Sequence, residues 1–376
     1  MRILILHAAV GTGHTTAALA LGDAFRRTQV DEVQVEDILD YGSRFFRAAL
    51  TQSYLLVSGR TPQLWKVFYE SSDLHDPDYV VAVNAFLARV ERLPVRRLEQ
   101  FVTSYAPDII VCTHMLPMAV IGRLKRAGTL RQPLYCVVTD FMVHSLWIDD
   151  IVDGYFVASE LTRDAMIARG VRPTLLHVTG IPVNPEIADP KAADAMRARH
   201  GLPTERPTIV LFGGGIEPQR VRLIVERLLE STTPGVLVVV AGRSEALTKS
   251  LAELADGPSM QLRRLGRINY VDDLVAAADL VITKSGGLIV SEVLARGTPM
   301  IVLDPIPGQE EWNADYVAGS GAGIQLRYPE SVPPAALYLL AQPQRLAAMR
   351  GQAARVGRPR AALDVADYVL SRAAGR

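Results

Sequence analysis

Cysteine, net charge and long apolar runs are scarce in this sequence, and each shortage excludes a class of protein. Only Cys112 and Cys136 occur, each in an apolar run typical of a buried strand, so a disulfide framework is excluded and a reducing cytoplasm is expected. The 40 Lys and Arg balance the 40 Asp and Glu, which leaves no electrostatic footprint for nucleic acid. No apolar stretch approaches the ~20 residues of a membrane-spanning helix, so any membrane contact is expected to be peripheral.

Short apolar runs alternate with helical patterns along the chain, which indicates parallel α/β sheets. Strands are expected at residues 3–7, 33–36, 108–113, 134–139, 154–158, 175–179, 208–212, 236–241, 261–265, 280–283 and 300–303. The first run is too short, and too soon followed by glycine, for a signal peptide. A proline-rich segment at 181–207 is interpreted as a hinge between two domains. Because ligands bind beyond the carboxyl ends of such strands, two facing units predict a cleft.

The loop after the first strand contains Gly11 and Gly13, followed by His14. Glycines let the backbone approach a ligand closely, and the helix expected from about residue 15 favours negative charge at its start. A dinucleotide fingerprint would need glycine or alanine where Thr16 stands, so the NAD fingerprint is incomplete. His14 either caps the helix or, at the mouth of the cleft, removes the proton from an attacking hydroxyl.

The second half repeats the order strand, glycine turn, helix at residues 213–215 and 285–288. Backbone N–H groups at the positive end of a helix can seat a diphosphate without a metal. Glu292, about a turn and a half into the second helix, could accept both hydroxyls of a ribose. Gln309 and Glu310 are expected on a proline-fixed loop, where they suit adjacent hexose hydroxyls. Alternatively, Glu310 and the next glutamate complement the dipole of a helix N-terminus, and both uses can coexist.

Jointly, these motifs resemble glycosyltransferase family 28, and within it the monogalactosyldiacylglycerol synthase and processive diacylglycerol glucosyltransferase group. The resemblance covers nearly the whole chain and is carried by five segments: Gly11-Thr12-Gly13-His14, Val138-Thr139-Asp140-Phe141, Val178-Thr179-Gly180-Ile181-Pro182-Val183, Thr283-Lys284-Ser285-Gly286-Gly287 and Pro307-Gly308-Gln309-Glu310-Glu311-Trp312-Asn313-Ala314. It implies a GT-B fold, in which two Rossmann-like domains face a central cleft. We expect an acceptor domain at 1–184, a UDP-sugar domain at 185–356 and a C-terminal helix, 357–376, packing back toward the first domain.

The resemblance also implies roles for residues at matching positions. On the acceptor side it makes His14 the candidate base, with Asp140 as the second catalytic residue and acceptor contacts from Gly11, Gly13, His144 and Trp147. On the donor side it implies that Gly213, Gly214, Gly215, Gly286, Gly287 and Leu288 face the diphosphate. Tyr270 and Val271 would border the uracil, Glu292 would hold the ribose, and Gln309 and Glu310 would hold the hexose. Ser285 is also a donor contact. Arg243 is a further donor contact. Ser285 stands where the group commonly has proline, and Ser244 where it often has asparagine.

The resemblance implies transfer of glucose or galactose from a UDP-sugar to 1,2-diacylglycerol, with inversion at the anomeric carbon. Retaining GT-B enzymes carry two glutamates eight positions apart, and Lys284 stands where the partner of Glu292 would be. No cofactor or catalytic metal is expected, since Asp76-Pro77-Asp78 reads as a helix-capping turn. The alternatives are another lipid acceptor, a UDP-N-acetylhexosamine 2-epimerase, and a non-catalytic UDP-sugar sensor that binds a protein.

Residues 43–69 interleave aromatic and aliphatic side chains with Arg and Lys. This pattern suits helices lying in the headgroup region of an anionic bilayer, and it suits the core faces of α/β helices equally well. With the resemblance, it predicts peripheral association with the inner face of the cell membrane. The sequence does not distinguish glucose from galactose, and it leaves open the number of sugars added and the oligomeric state.

Overall fold

The computed structural model describes residues 1–42, 96–303, 305 and 308–374, and they form two compact units. Of these residues, unit 1 contains 1–186, 308–309 and 360–374, and unit 2 contains 187–305 and 310–359. The stretch 43–69 and the motif Asp76-Pro77-Asp78 lie outside the described residues. Within the described ranges, no helix combines the length and the apolar character needed to cross a bilayer.

Unit 1 contains a six-stranded parallel sheet with the order β2-β1-β3-β4-β5-β6. Its strands are β1 (Arg2–His7), β2 (Glu32–Asp37), β3 (Ile109–Cys112), β4 (Leu134–Val137), β5 (Gly154–Val157) and β6 (Leu176–Val178). Its first helices are α1 (Thr12–Arg26), α2 (Arg96–Tyr105), α3 (Met115–Arg126) and α4 (Glu160–Ala168). The chain passes from β1 outward to β2 and returns to β3 on the other side of β1, so the strand order reverses between β1 and β3.

Unit 2 contains a second six-stranded parallel sheet with the order β12-β11-β10-β7-β8-β9. Its strands are β7 (Thr208–Phe212), β8 (Gly235–Val240), β9 (Met260–Leu265), β10 (Leu280–Thr283), β11 (Met300–Leu303) and β12 (Gly323–Leu326). The helices that follow unit 1 along the chain are α5 (Ala193–Arg199), α6 (Pro218–Leu229), α7 (Glu245–Ser250), α8 (Val271–Ala277), α9 (Gly287–Ala295), α10 (Gln309–Gly319), α11 (Val332–Leu340) and α12 (Pro343–Val356). Here the strand order reverses between β7 and β10.

The last helix, α13 (Ala361–Ala374), belongs to unit 1 and packs against α1. Val365 and Val369 are fully buried in the core shared with β1 and α1. Tyr368 lies edge-on to Phe156 and packs its ring 3.9 Å from that of His177. A full apolar face on this helix thus completes the core on one side of the first sheet. Short 3₁₀ turns occur at Ile38–Tyr41, Ser145–Trp147, Pro173–Leu175, Pro185–Ala188 and Pro329–Ser331.

The α/β class with two parallel sheets is confirmed, and each of the eleven expected runs overlaps a strand. The strand β12 was missed because its four residues include Gly323 and follow a glycine-rich segment, which reads as a loop. Two other expectations were wrong. Helix α1 begins at Thr12, since Gly11 supplies the extended N-cap, so His14 lies in its first turn and not in a loop. The polar segment from Gln309, expected as a loop, starts helix α10, and the two acidic residues in its first turn confirm the alternative of an acidic helix N-terminus.

Candidate active site

His14 lies at the carboxyl edge of the first sheet, where the strand order reverses. Its Nδ1 atom is 3.0 Å from the carbonyl oxygen of Thr113 and 2.8 Å from Oγ1 of Thr139. Thr113 directly follows β3, and its own hydroxyl donates to the carbonyl oxygen of His14 over 3.0 Å. Thr139 lies just beyond β4. Loops after three neighbouring strands therefore hold one imidazole at the position where open α/β sheets bind ligands.

Burial determines the protonation state of His14. It lowers the pKa of His14 to about 4, which the hydrogen bond to Thr113 partly opposes and to which the nearby His7 adds a smaller lowering. The ring of His114 lies edge-on to that of His14 with centroids 4.5 Å apart, and burial holds the pKa of His114 well below its usual value too. Near pH 7 His14 is therefore neutral, which is the form that can accept a proton.

Two of the other predicted acceptor-side residues, Trp147 and His144, are buried. Trp147 is almost fully buried, with its ring 6.2 Å from that of His14. His144 is fully buried and caps the turn Ser145–Trp147, since its Nδ1 accepts the N–H of Leu146. Gly11 is exposed and Gly13 half-buried. Trp147 thus packs beside the candidate base, and His144 caps the turn that carries Trp147.

Asp140 follows Thr139 directly, and its Oδ2 accepts a hydrogen bond from Nε2 of Gln309 over 2.7 Å. Asp140 is buried. The hydrogen-bond partners of the His14 ring within the described residues are Thr113 and Thr139, so the ring has no carboxylate partner there. The structure thus joins Asp140 to a predicted hexose-binding residue, and it supports His14 with neutral groups.

In unit 2 the two glycine turns follow β7 and β10, the strands between which the order reverses. A Cβ on Gly213 would come 2.6 Å from a methyl group of Leu247, and Gly215 has a φ of +83°, which favours glycine. Gly286 is the N-cap of α9 and has no side-chain cap, so Gly287 and Leu288 open the helix with uncapped N–H groups. Gly214 has open space where a side chain would stand.

The turn before α9 is fixed to the start of α10. The buried Ser285 donates its hydroxyl to the carbonyl oxygen of Glu310 over 2.7 Å. Nζ of Lys284 lies 3.2 Å from Oε2 of Glu310. Both contacts hold Glu310, the predicted hexose contact, beside the turn that is predicted to bind the diphosphate. Ser285 and Glu310 are 25 residues apart in the sequence.

Glu292 and Tyr270 border a charged network in unit 2. Burial raises the pKa of Glu292 to about 8, and the negative charge of Asp272 adds to this. The ring of Tyr270, with Val271 beside it at the start of α8, stacks on that of His200 at 4.5 Å. Further contacts tie the start of α8 to neighbouring segments: Lys191 to Asp272 and Asp273, Arg296 to Asp272, and His200 to Asp273. Sequence reasoning missed these partners, for which only the paired aspartates after Tyr270 gave a signal.

The remaining predicted donor contact, Arg243, is exposed. Ser244 beside it caps α7, since its hydroxyl accepts the N–H of Leu247 over 3.2 Å. Among the described residues, His, Cys, Asp and Glu side chains form no group of three or more suited to a metal ion.

The chain matches known proteins in both halves. Residues 14–183 match the family model of monogalactosyldiacylglycerol (MGDG) synthase, and residues 193–355 that of glycosyl transferases group 1. The processive diacylglycerol beta-glucosyltransferase of Bacillus pumilus (strain SAFR-032) is 28% identical over 351 residues, which are 93% of this chain and 89% of the relative.

Solved structures match the whole chain. MurG of Acinetobacter baumannii superimposes with a TM-score of 0.63 at 16% identity, covering 98% of this chain and 99% of MurG. The UDP-GlcNAc 2-epimerase of Neisseria meningitidis, bound to UDP-GlcNAc, gives a TM-score of 0.63 at 12% identity, covering 99% of this chain and 100% of the epimerase. The expected GT-B fold is confirmed. With the motifs and the relatives in agreement, the expected resemblance to the monogalactosyldiacylglycerol synthase and processive diacylglycerol glucosyltransferase group of family 28 glycosyltransferases is confirmed.

Proposed function

We propose that this chain transfers a hexose from a UDP-sugar to the hydroxyl of 1,2-diacylglycerol, with inversion at the anomeric carbon. The observation that carries the proposal is the neutral imidazole of His14 at the carboxyl ends of β1, β3 and β4. The names of the relatives support diacylglycerol as the acceptor. Since diacylglycerol resides in the bilayer, the protein would act peripherally at an anionic membrane surface, on the inner face of the cell membrane.

In this reaction His14 takes the proton of the acceptor hydroxyl while the oxygen attacks the anomeric carbon on the face opposite UDP. The new carbon–oxygen bond forms as the bond to the diphosphate breaks, and UDP leaves with the electron pair. Configuration therefore inverts in one step. A positioned general base of this kind contributes about 10²- to 10⁴-fold in rate.

Unit 2 would bind the donor through the uncapped start of α9. The N–H groups at Gly286 and Gly287 carry the positive end of the helix dipole, and the N-cap Gly286 provides no side-chain cap. Because the diphosphate gains charge as it leaves, these fixed dipoles stabilise the transition state more than the ground state. Glu292 would accept the ribose hydroxyls, and Tyr270 with Val271 would border the uracil.

The hexose would contact Gln309 and Glu310. Nε2 of Gln309 donates to Asp140, so its amide oxygen is the atom that would accept a sugar hydroxyl. Glu310 is ion-paired with Lys284 and would accept through its carboxylate. Glucose and galactose differ at one stereocentre, and both offer hydroxyls to this pair of residues.

The test incubates the protein with labelled UDP-glucose or UDP-galactose and vesicles of diacylglycerol with phosphatidylglycerol, then separates the lipids. A labelled glycolipid whose anomeric configuration is opposite to that of the donor is expected. His14→Ala should lower turnover at least about 100-fold while UDP affinity survives. His177→Gln, which alters a half-buried histidine of unit 1 far from the glycine turns in sequence, is the matched control and should retain turnover.

Other outcomes identify the alternatives. Conversion of UDP-N-acetylglucosamine without any acceptor would replace the proposal with a 2-epimerase, a class represented among the structural matches. Transfer to a different lipid would overturn only the acceptor. UDP-sugar binding without any turnover would indicate a sensor. Full turnover in the His14→Ala variant would remove His14 from the role of base.

A further inference from the structure

Both hydrogen-bond partners of the His14 ring lie at the same nitrogen. The carbonyl oxygen of Thr113 is 3.0 Å from Nδ1, and Oγ1 of Thr139 is 2.8 Å from it. Thr113 is fully buried and Thr139 nearly so. All three residues belong to unit 1. The two contacts come from loops after different strands, so the position of Nδ1 is fixed from two directions.

The carbonyl contact determines which nitrogen carries the hydrogen. A carbonyl oxygen has no hydrogen to donate, so in a neutral ring Nδ1 must donate to Thr113. The hydroxyl of Thr139 then accepts from the same N–H as a second, shared partner. Nε2 is left without a hydrogen and has its lone pair in the ring plane. Only this tautomer can take a proton through Nε2.

The groups that face the ring from other elements favour the neutral state. His114 from the start of α3 and Trp147 lie against the His14 ring, and the nearby His7 from β1 further lowers the pKa of His14. His114 uses its own Nδ1 to accept the N–H of Leu116 over 2.9 Å. Burial lowers the pKa of all three histidines. The hydroxyl and the carbonyl at Nδ1 thus fix the tautomer and orientation of the ring, as a carboxylate does in a hydrolase triad, while adding no negative charge.

We propose that Thr139 is a positioning residue: with the Thr113 carbonyl, its hydroxyl holds His14 as the Nδ1–H tautomer, so that Nε2 receives the proton of the acceptor. This inference rests on the proposed transferase function. Thr139 touches no reacting atom and acts through the orientation of the imidazole.

Substitutions at Thr139 separate orientation from packing. Thr139→Val keeps the shape but removes the hydroxyl, and we expect kcat to fall about tenfold, the effect of one lost hydrogen bond, with an unchanged KM for the UDP-sugar. Thr139→Ser keeps the hydroxyl and should restore most of kcat. Thr208→Val is the matched control: it is the same change at a fully buried strand position whose hydroxyl has no hydrogen-bond partner among the described residues.

A second measurement needs no activity and no Thr139 variant. Nitrogen NMR of the wild-type protein labelled with ¹⁵N-histidine near pH 7 should show His14 with a protonated Nδ1 and an unprotonated Nε2, assigned by the signals lost in His14→Gln. A protonated Nε2, or full kcat in Thr139→Val beside an active wild type, would overturn the inference. A wild type that transfers no hexose would instead overturn the proposed function.

Discussion

As the proposed ribose contact, Glu292 should make donor binding depend on pH. Burial, reinforced by the negative charge of Asp272, raises its pKa to about 8. Arg296, one turn further along α9, does not neutralise it, because its guanidinium binds Asp272 at 2.6 Å and the carbonyl oxygen of Asp189 at 2.7 Å. No hydrogen bond or ion pair reaches the Glu292 carboxylate from the described residues. The free protein therefore holds this carboxyl largely protonated near pH 7.

The size of the effect follows from that pKa. Only the ionised carboxylate accepts both ribose hydroxyls, so the apparent affinity scales with the ionised fraction of Glu292. A pKa of about 8 leaves roughly 1% ionised at pH 6 and roughly half at pH 8. The affinity for a UDP-sugar should therefore rise about 50-fold over this range, and binding near pH 7 should release close to one proton.

Titration calorimetry with UDP-glucose measures both quantities, because its diphosphate diester keeps its charge over this pH range. Repeating the titration in buffers of different ionisation enthalpy gives the number of protons released. Glu292→Gln should bind weakly at every pH and lose the pH dependence. Glu253→Gln, which changes an exposed glutamate of the same unit, should behave as the wild type. A wild-type affinity that is flat from pH 6 to pH 8, or a slope that persists in Glu292→Gln, would refute the reasoning.

The raised pKa of Glu292 also makes the free energy of unfolding depend on pH. Between the ordinary value of 4.5 and about 8, the folded protein holds a proton on Glu292 that the unfolded chain has released. The stabilisation that this bound proton gives the folded protein is fully present below pH 4.5 and is lost as pH rises through 8. Glu292→Gln should therefore lose less thermal stability than the wild type between pH 6 and pH 8.5, as measured by the unfolding midpoint at each pH.

Two further predictions concern unit 2. Gly357→Ala would place a Cβ 2.1 Å from the carbonyl oxygen of Leu294, so the backbone must move and the free energy of unfolding should fall by about 1–3 kcal/mol. Gly351→Ala fills open space within α12 and should raise the free energy of unfolding by about 0.5–1 kcal/mol. Thermal melting measures both changes, and a stabilised Gly357→Ala protein would contradict the contact. Ser285→Ala removes the hydrogen bond to the Glu310 carbonyl and should weaken UDP-glucose binding about tenfold by calorimetry, while unchanged affinity would separate this bond from the donor site.

The strands were predictable because both faces of a parallel sheet are buried, which produces continuous apolar runs such as Leu211 with its neighbours. Candidate site residues could be named from the sequence only where a residue type is itself informative, as with His14, Glu292 and the glycine turns. The groups that hold His14 in place could not be predicted. Thr113 acts on His14 through a backbone carbonyl 99 residues away, and a carbonyl leaves no mark on residue identity. The start of α1 was misplaced because Gly11 caps it without a side chain, whereas sequence rules depend on capping side chains.

The two units place their chemistry at the same topological position. In unit 1 the order of strands reverses between β1 and β3, and the loops after these strands carry His14 and Thr113. In unit 2 it reverses between β7 and β10, which precede the turns at Gly213 and Gly286. At such a point the loops after two neighbouring strands turn to opposite faces of the sheet, which opens a crevice without any special residue. The fold therefore provides the position in each unit, and in the proposed function a few residues decide whether that position removes a proton or holds a diphosphate.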